Sequence, residues 1–532
     1  MPPEPTSYVA PPSTDAAALI ASLAQALSAA AEAPVSERWT WWDTFDGRLH
    51  NAGLVLASAP EAAGGHVLSV RPSGGVAPLA TVVVAELPRL ATDLPPGRVR
   101  DRLAPALEMR ALLPIVSVDA TTHLFVLRND DDKVVTRVAV DELRSVDGTD
   151  LGLWVRLLPV RGYEKAASRA RDVLVSAGVT PASDDVVEIV ATAAGDGTRP
   201  PGAYSSKLSI PIDPEQSAAS AFLTVLLVLL DAIEANFAGT VDDVDSEFLH
   251  DLRVAVRRSR SALKHAGGVL PDELLGCFRP ELAWLQEITG PTRDLDVQLL
   301  GLPDEAAALA PDAAAELEPF AVLLAKRQRD EQSAMAETLR SDRARALLQD
   351  WRETIESLAS TATDPADADA GEWGSWPSGA TRPIAALAAK RVARRYRRLL
   401  QLGGEITEQT PAEALHDLRK QGKELRYLFE LFGSLFPASA LGPVIKDLKE
   451  LQDNLGEFQD TEVQRHALRG FGEELVAAGA PVGTILTLAQ LVERLALRQH
   501  AARSEFAARF ARFSSPASRK RFEVLLGDGS VR

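Results

Sequence analysis

One stretch of this 532-residue chain is written twice, at a constant offset of 166 residues. His250-Asp251-Leu252-Arg253, followed by Arg257 and Arg260, returns as His416-Asp417-Leu418-Arg419, followed by Lys423 and Arg426. At the same offset Leu285, Gln286, Gly290, Asp294, Val297 and Gln298 return as Leu451, Gln452, Gly456, Asp460, Val463 and Gln464, and Asp296 is answered by Glu462. No gap is needed anywhere in the block. A repeat of that kind means two copies of one structural unit, each built around a row of cations headed by a histidine.

At about 100° per residue on a helix, His250, Arg253, Arg257, Arg260 and Lys264 share an arc of roughly 80°. His416, Arg419, Lys423 and Arg426 occupy the same arc in the second copy. The apolar side chains Leu249, Leu252, Val256 and Leu263, and their counterparts Leu415, Leu418, Leu425 and Phe429, centre roughly 90° away. The cations therefore flank the core face, where they can line a cleft between helices. Like charges at i, i+3 and i+4 repel, so the row requires internal carboxylates or an anionic ligand. Asp294, Asp296, Asp460 and Glu462 are available for pairing, which leaves a purely structural ion-pair scaffold open as a reading.

Against that reading stands a surplus of cations. Arg258, Arg293 and Lys420 add to the rows, and Lys390, Arg391, Arg394, Arg395, Arg397 and Arg398 put six cations in the nine residues of KRVARRYRR. Each histidine also ends a Glu-x-x-His, Glu247 to His250 and Glu413 to His416, a spacing used by helical di-iron proteins. Three or four cations on the ligand face would repel a metal. The glutamates have plainer roles: Thr410-Pro411-Ala412-Glu413 reads as an N-cap, an N1 proline and a capping-box glutamate. Asp243, Asp245 and Glu247 supply negative charge to the start of the earlier helix. No metal and no cofactor are expected.

Composition narrows the function classes. The formal charge is −17 with a pI near 5.1, so the chain as a whole is not a generic nucleic-acid binder. No aromatic stacking platform accompanies the basic rows, which argues further against nucleic acid as the ligand. A single cysteine, Cys277, excludes an internal disulfide and fits a reducing cytoplasm. The N-terminus opens on prolines and Glu4 without the basic start of a signal peptide. The longest apolar run, Ala218 to Leu230, stops at Asp231 and is too short to span a bilayer. It reads as a mostly buried core helix, and the expectation is a cytoplasmic protein with no membrane partner.

Texture along the chain suggests an α+β multidomain protein. Residues 1–34 form a Pro/Ala-rich segment, in which 1–15 are expected to lack regular structure and Ala16 to Glu32 follows a helical pattern. Residues 35–200 carry short β-like runs at Gly53–Leu56, His66–Val70, Ala80–Ala85, Leu124–Leu127, Val134–Val140 and Leu151–Val160, then a helix from Tyr163 to Ala177. A Gly/Pro-rich stretch at Gly195–Gly202 separates them from two helical segments, 215–358 and 384–515. A second linker, Ala359 to Pro383, lies between those segments.

The two HDLR helices, with LAWLQEITGPTRDLDVQ and LKELQDNLGEFQDTEVQ, resemble the CHAD domain (conserved histidine α-helical domain) over about residues 215–515. The resemblance implies two pseudo-symmetric four-helix bundles and a basic surface that binds inorganic polyphosphate, possible association with polyphosphate granules included. Arginine forks phosphate bidentately, lysine acts as a point charge, and protonated histidine donates. The implied contacts are the cations of both rows together with Arg258, Arg293, Lys420 and the 390–398 run.

Trp41-Trp42-Asp43-Thr44-Phe45-Asp46 with Leu49 and Gly53, Gly162-Tyr163-Glu164-Lys165-Ala166 and Ser206-Lys207 are similar to stretches of CYTH domains, which commonly precede CHAD domains. That resemblance implies a closed antiparallel β-barrel whose tunnel hydrolyses triphosphates with a divalent metal. The pattern departs where the chemistry needs it. No Glu-x-Glu-x-Lys strand opens the module, Ala57 and Ser58 stand where an arginine is expected, and Trp154-Val155-Arg156-Leu157 takes the place of paired glutamates. Arg71, His123, Arg128 and Arg137 are scattered. The expectation is a degenerate, non-catalytic barrel attached to a polyphosphate-binding module. The alternatives are a metal-dependent triphosphate or polyphosphate hydrolase and a structural scaffold.

Overall fold

The computed structural model describes residues 6–193, 202–205, 210–309, 313–362 and 373–526. Residues 195–201, Ser206-Lys207 and positions 363–372 of the expected second linker lie outside the described residues. The chain divides into two compact units, Met1–Lys207 and Leu208–Arg532.

The first unit is built on one antiparallel sheet: β1 (Thr6–Val9), β2 (Val35–Asp43), β3 (Leu54–Pro60), β4 (His66–Pro72), β5 (Ala80–Val84), β6 (Leu113–Arg128), β7 (Val134–Ser145), β8 (Asp150–Pro159) and β9 (Thr180–Pro181). The nine strands run in the order β5-β4-β3-β2-β6-β7-β8-β1-β9. Helices α1 (Ala16–Leu27), α2 (Arg48–Asn51), α3 (Arg98–Leu107), α4 (Glu164–Ser176) and α5 (Val186–Ala193) complete the unit.

The expected closed barrel is not what forms. The sheet is open, with β5 and β9 as its two edges. Closure needs two edge strands that can exchange a ladder of hydrogen bonds. β9 is only two residues long, and one of them, Pro181, has no N–H to give. Two further expectations change. Residues 6–9, expected to be irregular, pair with β8 from Thr6↔Leu157 to Val9↔Trp154, and Tyr8 is fully buried. Residues 98–107 form a helix rather than part of the β texture, because Val99, Leu103 and Leu107 recur at helical spacing and all three are buried.

On one face of this sheet two arginines are held by carboxylates. Arg71 donates to Asp185 through Nη1 and Nη2 at 2.5 and 2.6 Å, and both side chains are buried. Arg156 reaches both oxygens of the buried Asp141 at 2.7 and 2.8 Å. The Arg156 guanidinium also lies 5.3 Å from the Trp39 ring and 5.2 Å from the Trp154 ring, inside cation–π range. His123 bonds Glu142 at 2.8 Å. A pocket of about 210 Å³ is lined by both arginines, by Trp39, Trp41 and Trp154, and by small residues.

The second unit is all-helical: α6 (Ala218–Val241), α7 (Ser246–His265), α8 (Asp272–Ile288), α9 (Gly290–Ala307), α10 (Ala313–Glu316), α11 (Glu318–Leu339), α12 (Asp342–Thr361), α13 (Ile384–Gly404), α14 (Ala412–Phe432), α15 (Ala438–Ala477), α16 (Val482–Phe513) and α17 (Pro516–Leu526). The helix begun by the Ala218–Leu230 run continues to Val241. By length and hydropathy it could cross a membrane, but 61% of its apolar window is buried within this unit. One continuous core takes residues from both copies of the repeat, with Phe222 of α6 edge-on to Phe432 of α14 at 5.2 Å. The ends of α9, α11, α15 and α16 close over a separate cluster around Leu295, Phe320, Phe471 and Leu491.

The two copies are tied where they begin. Ser217 and Pro383, 166 residues apart, form an isolated antiparallel bridge. Ala218 N donates to Arg382 O at 2.8 Å and Ile384 N to Gln216 O at 3.0 Å. For the sheet unit, Asp185→Ala should leave Arg71 buried without its counter-charge. It is expected to lower stability by about 3–5 kcal/mol in calorimetric unfolding, with most of the loss recovered in Arg71→Met/Asp185→Leu.

Candidate functional site

Helices α7 and α14 carry the repeated cationic rows, and each starts by its own means. Asp245 caps α7, accepting from Glu247 N at 2.9 Å and Phe248 N at 3.2 Å. The expected Thr410 cap of α14 does not form. Pro411 occupies the cap position without a side-chain bond, and the Thr410 hydroxyl accepts from Thr407 N at 2.8 Å instead. Backbone donors at a helix start can be satisfied by a preceding turn as well as by a cap.

The two helices meet in antiparallel sense, and two ion pairs fix their register. Arg258 Nε donates to Glu430 at 2.7 Å, and Lys264 Nζ to Glu424 at 2.9 Å. The offset of 166 relates Arg258 to Glu424 and Lys264 to Glu430. The first copy therefore carries cations where the second carries carboxylates, and an antiparallel meeting turns that reversal into two reciprocal bridges. Glu424 also lies 3.1 Å from His265 Nε2 and 3.9 Å from Arg395 Nη2. Burial alone would raise the Glu424 carboxyl, but hydrogen bonds from His265 and Lys264 and their charge hold it at about 2.

Beside those bridges the rows carry cations without counter-ions. Arg257 and Lys423, equivalent positions in the repeat, form no ion pair among the described residues, and neither does Arg260. The Arg257 guanidinium lies 5.7 Å from the centre of the Tyr427 ring. Lys423 is pushed down to about 8, first by burial and then by the positive charge of Arg419 and Arg257, with Arg426 adding to it. Arg253 is likewise lowered by burial and by Arg257 and Arg293, against the attraction of Asp294. These mutual repulsions run as an unbroken chain from Arg293 through Arg253, Arg257 and Lys423 to Arg419 and Arg426.

Several row members are held in place. Arg253 Nη1 donates to Gln286 O at 2.8 Å and to the buried Thr289 hydroxyl at 2.9 Å. Arg419 meets Asp460 at 2.7 Å, and His416 Nδ1 lies 2.9 Å from Gln459 Oε1. Arg426 bonds Glu430 at 2.8 Å and Lys420 meets Asp417 at 3.2 Å, both along their own helix. Arg293 reaches Ser246 O at 3.1 Å. His250 sits half-buried on α7. Asp296 does not serve the row as expected. It is buried against Gln328 at 3.0 Å, and burial pushes its carboxyl up to about 6.

The 390–398 run on α13 is divided in use. Arg395 joins the Glu424 cluster and bonds Gln421 at 3.1 Å. Arg391 donates to Gly267 O at 3.2 Å, lies 5.3 Å from the Phe222 ring and is pushed down to about 10 by burial. Arg397 and Arg398 bond along α13 to Ala393 O and Gln401. Lys390 and Arg394 are exposed and form no ion pair among the described residues.

The charge reversal at Glu424 and Glu430 is legible at the repeat offset. Tyr427 gave no such signal. Gln286 and Gln452, recognised as a repeated pair, carry buried amide atoms without partners, and Gln452 packs against the Cα of Gly422 next to Lys423.

Residues 224–469 match the family model described as the CHAD domain. Among solved structures the chain is similar to the crystal structure of the CHAD domain from the plant Ricinus communis. That match has 22% identity and a TM-score of 0.43, and covers 60% of this chain and 96% of that one. It is also similar to PptA from Streptomyces chartreusis, at 17% identity and a TM-score of 0.42, covering 56% of this chain and 99% of that one. No curated protein matches.

Removing the Glu424 charge should expose what it compensates. Glu424→Gln leaves Lys264, His265 and Arg395 facing one another and is expected to lower stability by about 1–3 kcal/mol at neutral pH. A carboxyl held near 2, below its ordinary 4.5, stabilises the fold above pH 4.5 and loses that contribution as pH falls toward 2. Urea titrations at pH ~7 and ~3 should therefore show the gap between wild type and variant closing in acid.

Proposed function

We propose that the CHAD domain formed by residues 224–469 holds inorganic polyphosphate without transforming it, in a basic cleft where α7 and α14 meet. The observation that carries this reading is the pair Arg257 and Lys423. They occupy equivalent repeat positions, face each other's charge, and have no carboxylate partner among the described residues. A fold that brings two cationic rows together tolerates the repulsion most readily when a polyanion binds between them. Arg253, Arg419, Arg426 and Arg260 extend the track on both sides, and its donors suit a repeating phosphate rather than a base edge.

The architecture in this reading is two four-helix bundles related by a pseudo-twofold axis. Ser217 bridging its own equivalent Pro383, and the reciprocal Arg258–Glu430 and Lys264–Glu424 pairs, support that symmetry. A twofold axis passes wherever a residue meets its counterpart, and it makes the two halves of one ligand site equivalent. The purely structural alternative accounts for Arg258, Lys264, Arg395 and Arg426, which do have carboxylates. It leaves Arg257 and Lys423 without a purpose.

The sheet unit is proposed to be a CYTH-like module without triphosphatase activity. Arg71 and Arg156 have their donors taken by Asp185 and Asp141, so neither fork is free for phosphate. Among the described residues there is no group of three His, Cys, Asp or Glu placed to hold a metal ion. The whole protein is proposed to act in the cytoplasm, where a long polyphosphate chain would be its partner.

Calorimetric titration of the full chain with long-chain polyphosphate tests the central claim. Binding should weaken at least about tenfold between ~50 and ~200 mM salt, since counter-ion release drives it. Arg257→Glu/Lys423→Glu, with its helical signal intact, should weaken it by a further factor of about a hundred. Equal binding by that variant would transfer the site elsewhere. Incubation of the full chain with tripolyphosphate and magnesium or manganese should release no phosphate above the buffer control; sustained release abolished by changes on the sheet face would refute the non-catalytic reading.

A further inference from the structure

The cationic track named above is made of arginines except at Lys423. Of the row residues that lack a counter-ion, Arg257 and Arg260 carry guanidinium groups and Lys423 an ammonium. A lysine shifts readily when buried, since the fold must either solvate its charge or release its proton.

The surroundings of Lys423 favour release. From α14 itself it sees Arg419 and Arg426, one turn away on either side, and from α7 it sees Arg257. From α15 Asp460 attracts it, but Arg419 already binds that carboxylate at 2.7 Å. On the far flank of α14, Arg395 of α13 is directed to Glu424 and Gln421. Tyr427, the neighbouring phenol, is pushed up by burial and does not compete for a proton in mildly alkaline solution. Glu424 and Glu430 are taken by the bridges to Lys264 and Arg258. Lys423 thus stands half-buried in a ring of like charge, and its ammonium is held near 8 rather than 10.5.

We infer that polyphosphate binding is coupled to proton uptake at Lys423, so that this one lysine makes the grip of the site weaken with alkalinity; the inference rests on the polyanion reading above. The free protein has Lys423 partly neutral just above neutral pH. A phosphate seated between Arg257 and Lys423 supplies the missing negative charge, cancels the repulsion from the three arginines and restores the ammonium. The proton comes from solvent and no covalent bond changes. The ligand is not the source of the effect, because phosphate ester-like second ionisations lie near ~6 and are complete in the range considered.

The sign follows from linkage. Where the bound state holds more protons than the free state, affinity falls as pH rises. With a free-state value of about 8 and a bound lysine fully charged, the association constant should drop about tenfold between pH ~7 and ~9.

The test is calorimetric titration of the full chain with long-chain polyphosphate at pH ~8, in two buffers of different ionisation enthalpy. Wild type should take up about half a proton per site. Lys423→Arg keeps the charge and removes the titration, so, whatever its own affinity at pH ~7, it should take up no proton at pH ~8 and hold that affinity to pH ~9. Lys423→Met should bind more weakly at pH ~7 and be equally flat. Proton uptake that survives in Lys423→Arg, or none in wild type, overturns the inference while leaving polyphosphate binding standing. An absence of binding by wild type in both buffers would instead bring down the polyanion reading itself.

Discussion

The meeting of α7 with α14 depends on two carboxylates. Without Glu424 and Glu430, the antiparallel register would press Arg258, Lys264 and His265 against Arg426 and Arg395 with nothing between them. Each carboxylate serves several cations at once. Glu430 takes Arg258 and Arg426, and Glu424 takes Lys264, His265 and Arg395. An ion that gathers several partners orders them at a smaller entropic cost than separate pairs would need. The placement also decides what is left over. Along the two helices the bridges lie between Arg257 and Lys423, and the fold leaves both of these without a carboxylate pair among the described residues.

The sheet unit treats its arginines in the opposite way. Arg71 and Arg156 are each bound bidentately by a buried aspartate, and Arg156 is flanked by tryptophan rings. Guanidinium groups so engaged support the sheet and have little left for a ligand. The same residue type thus has two fates within one chain. On the sheet the forks of Arg71 and Arg156 are matched by carboxylates and by aromatic faces, whereas on the repeated helices Arg257 and Lys423 have no ion pair among the described residues. The contrast, more than the number of cations, distinguishes a structural basic cluster from one open to an anion.

Reading the residues alone recovered the repeat, the helical rows and the division into a sheet unit followed by helices, because all three are carried by periodicity and offset. It did less well with side-chain partners. The repeat pattern offers Asp296 as a companion of the row, yet it faces Gln328. Arg397 and Arg398 sit in the densest run of charge, yet they bond along their own helix. A helical wheel gives the direction of a side chain but not what the neighbouring helix presents to it. The open sheet escaped for a similar reason. Whether a sheet closes depends on the pairing of its two ends, and β9 turned out to be a two-residue strand ending in proline.

What the amino-acid order settled by itself is the local and the repeated: which faces of α7 and α14 are apolar, which carry charge, and that the second copy answers the first at 166 residues. These follow from the 3.6-residue period and need no partner to define them. Only the tertiary structure decided which cations stay unpaired. Ion pairing depends on distances of a few ångströms between residues about 160–170 positions apart in the chain, and electrostatic energy changes steeply over that range. Arg258 and Arg257 are neighbours in sequence, but an antiparallel contact places one on Glu430 and leaves the other beside Lys423.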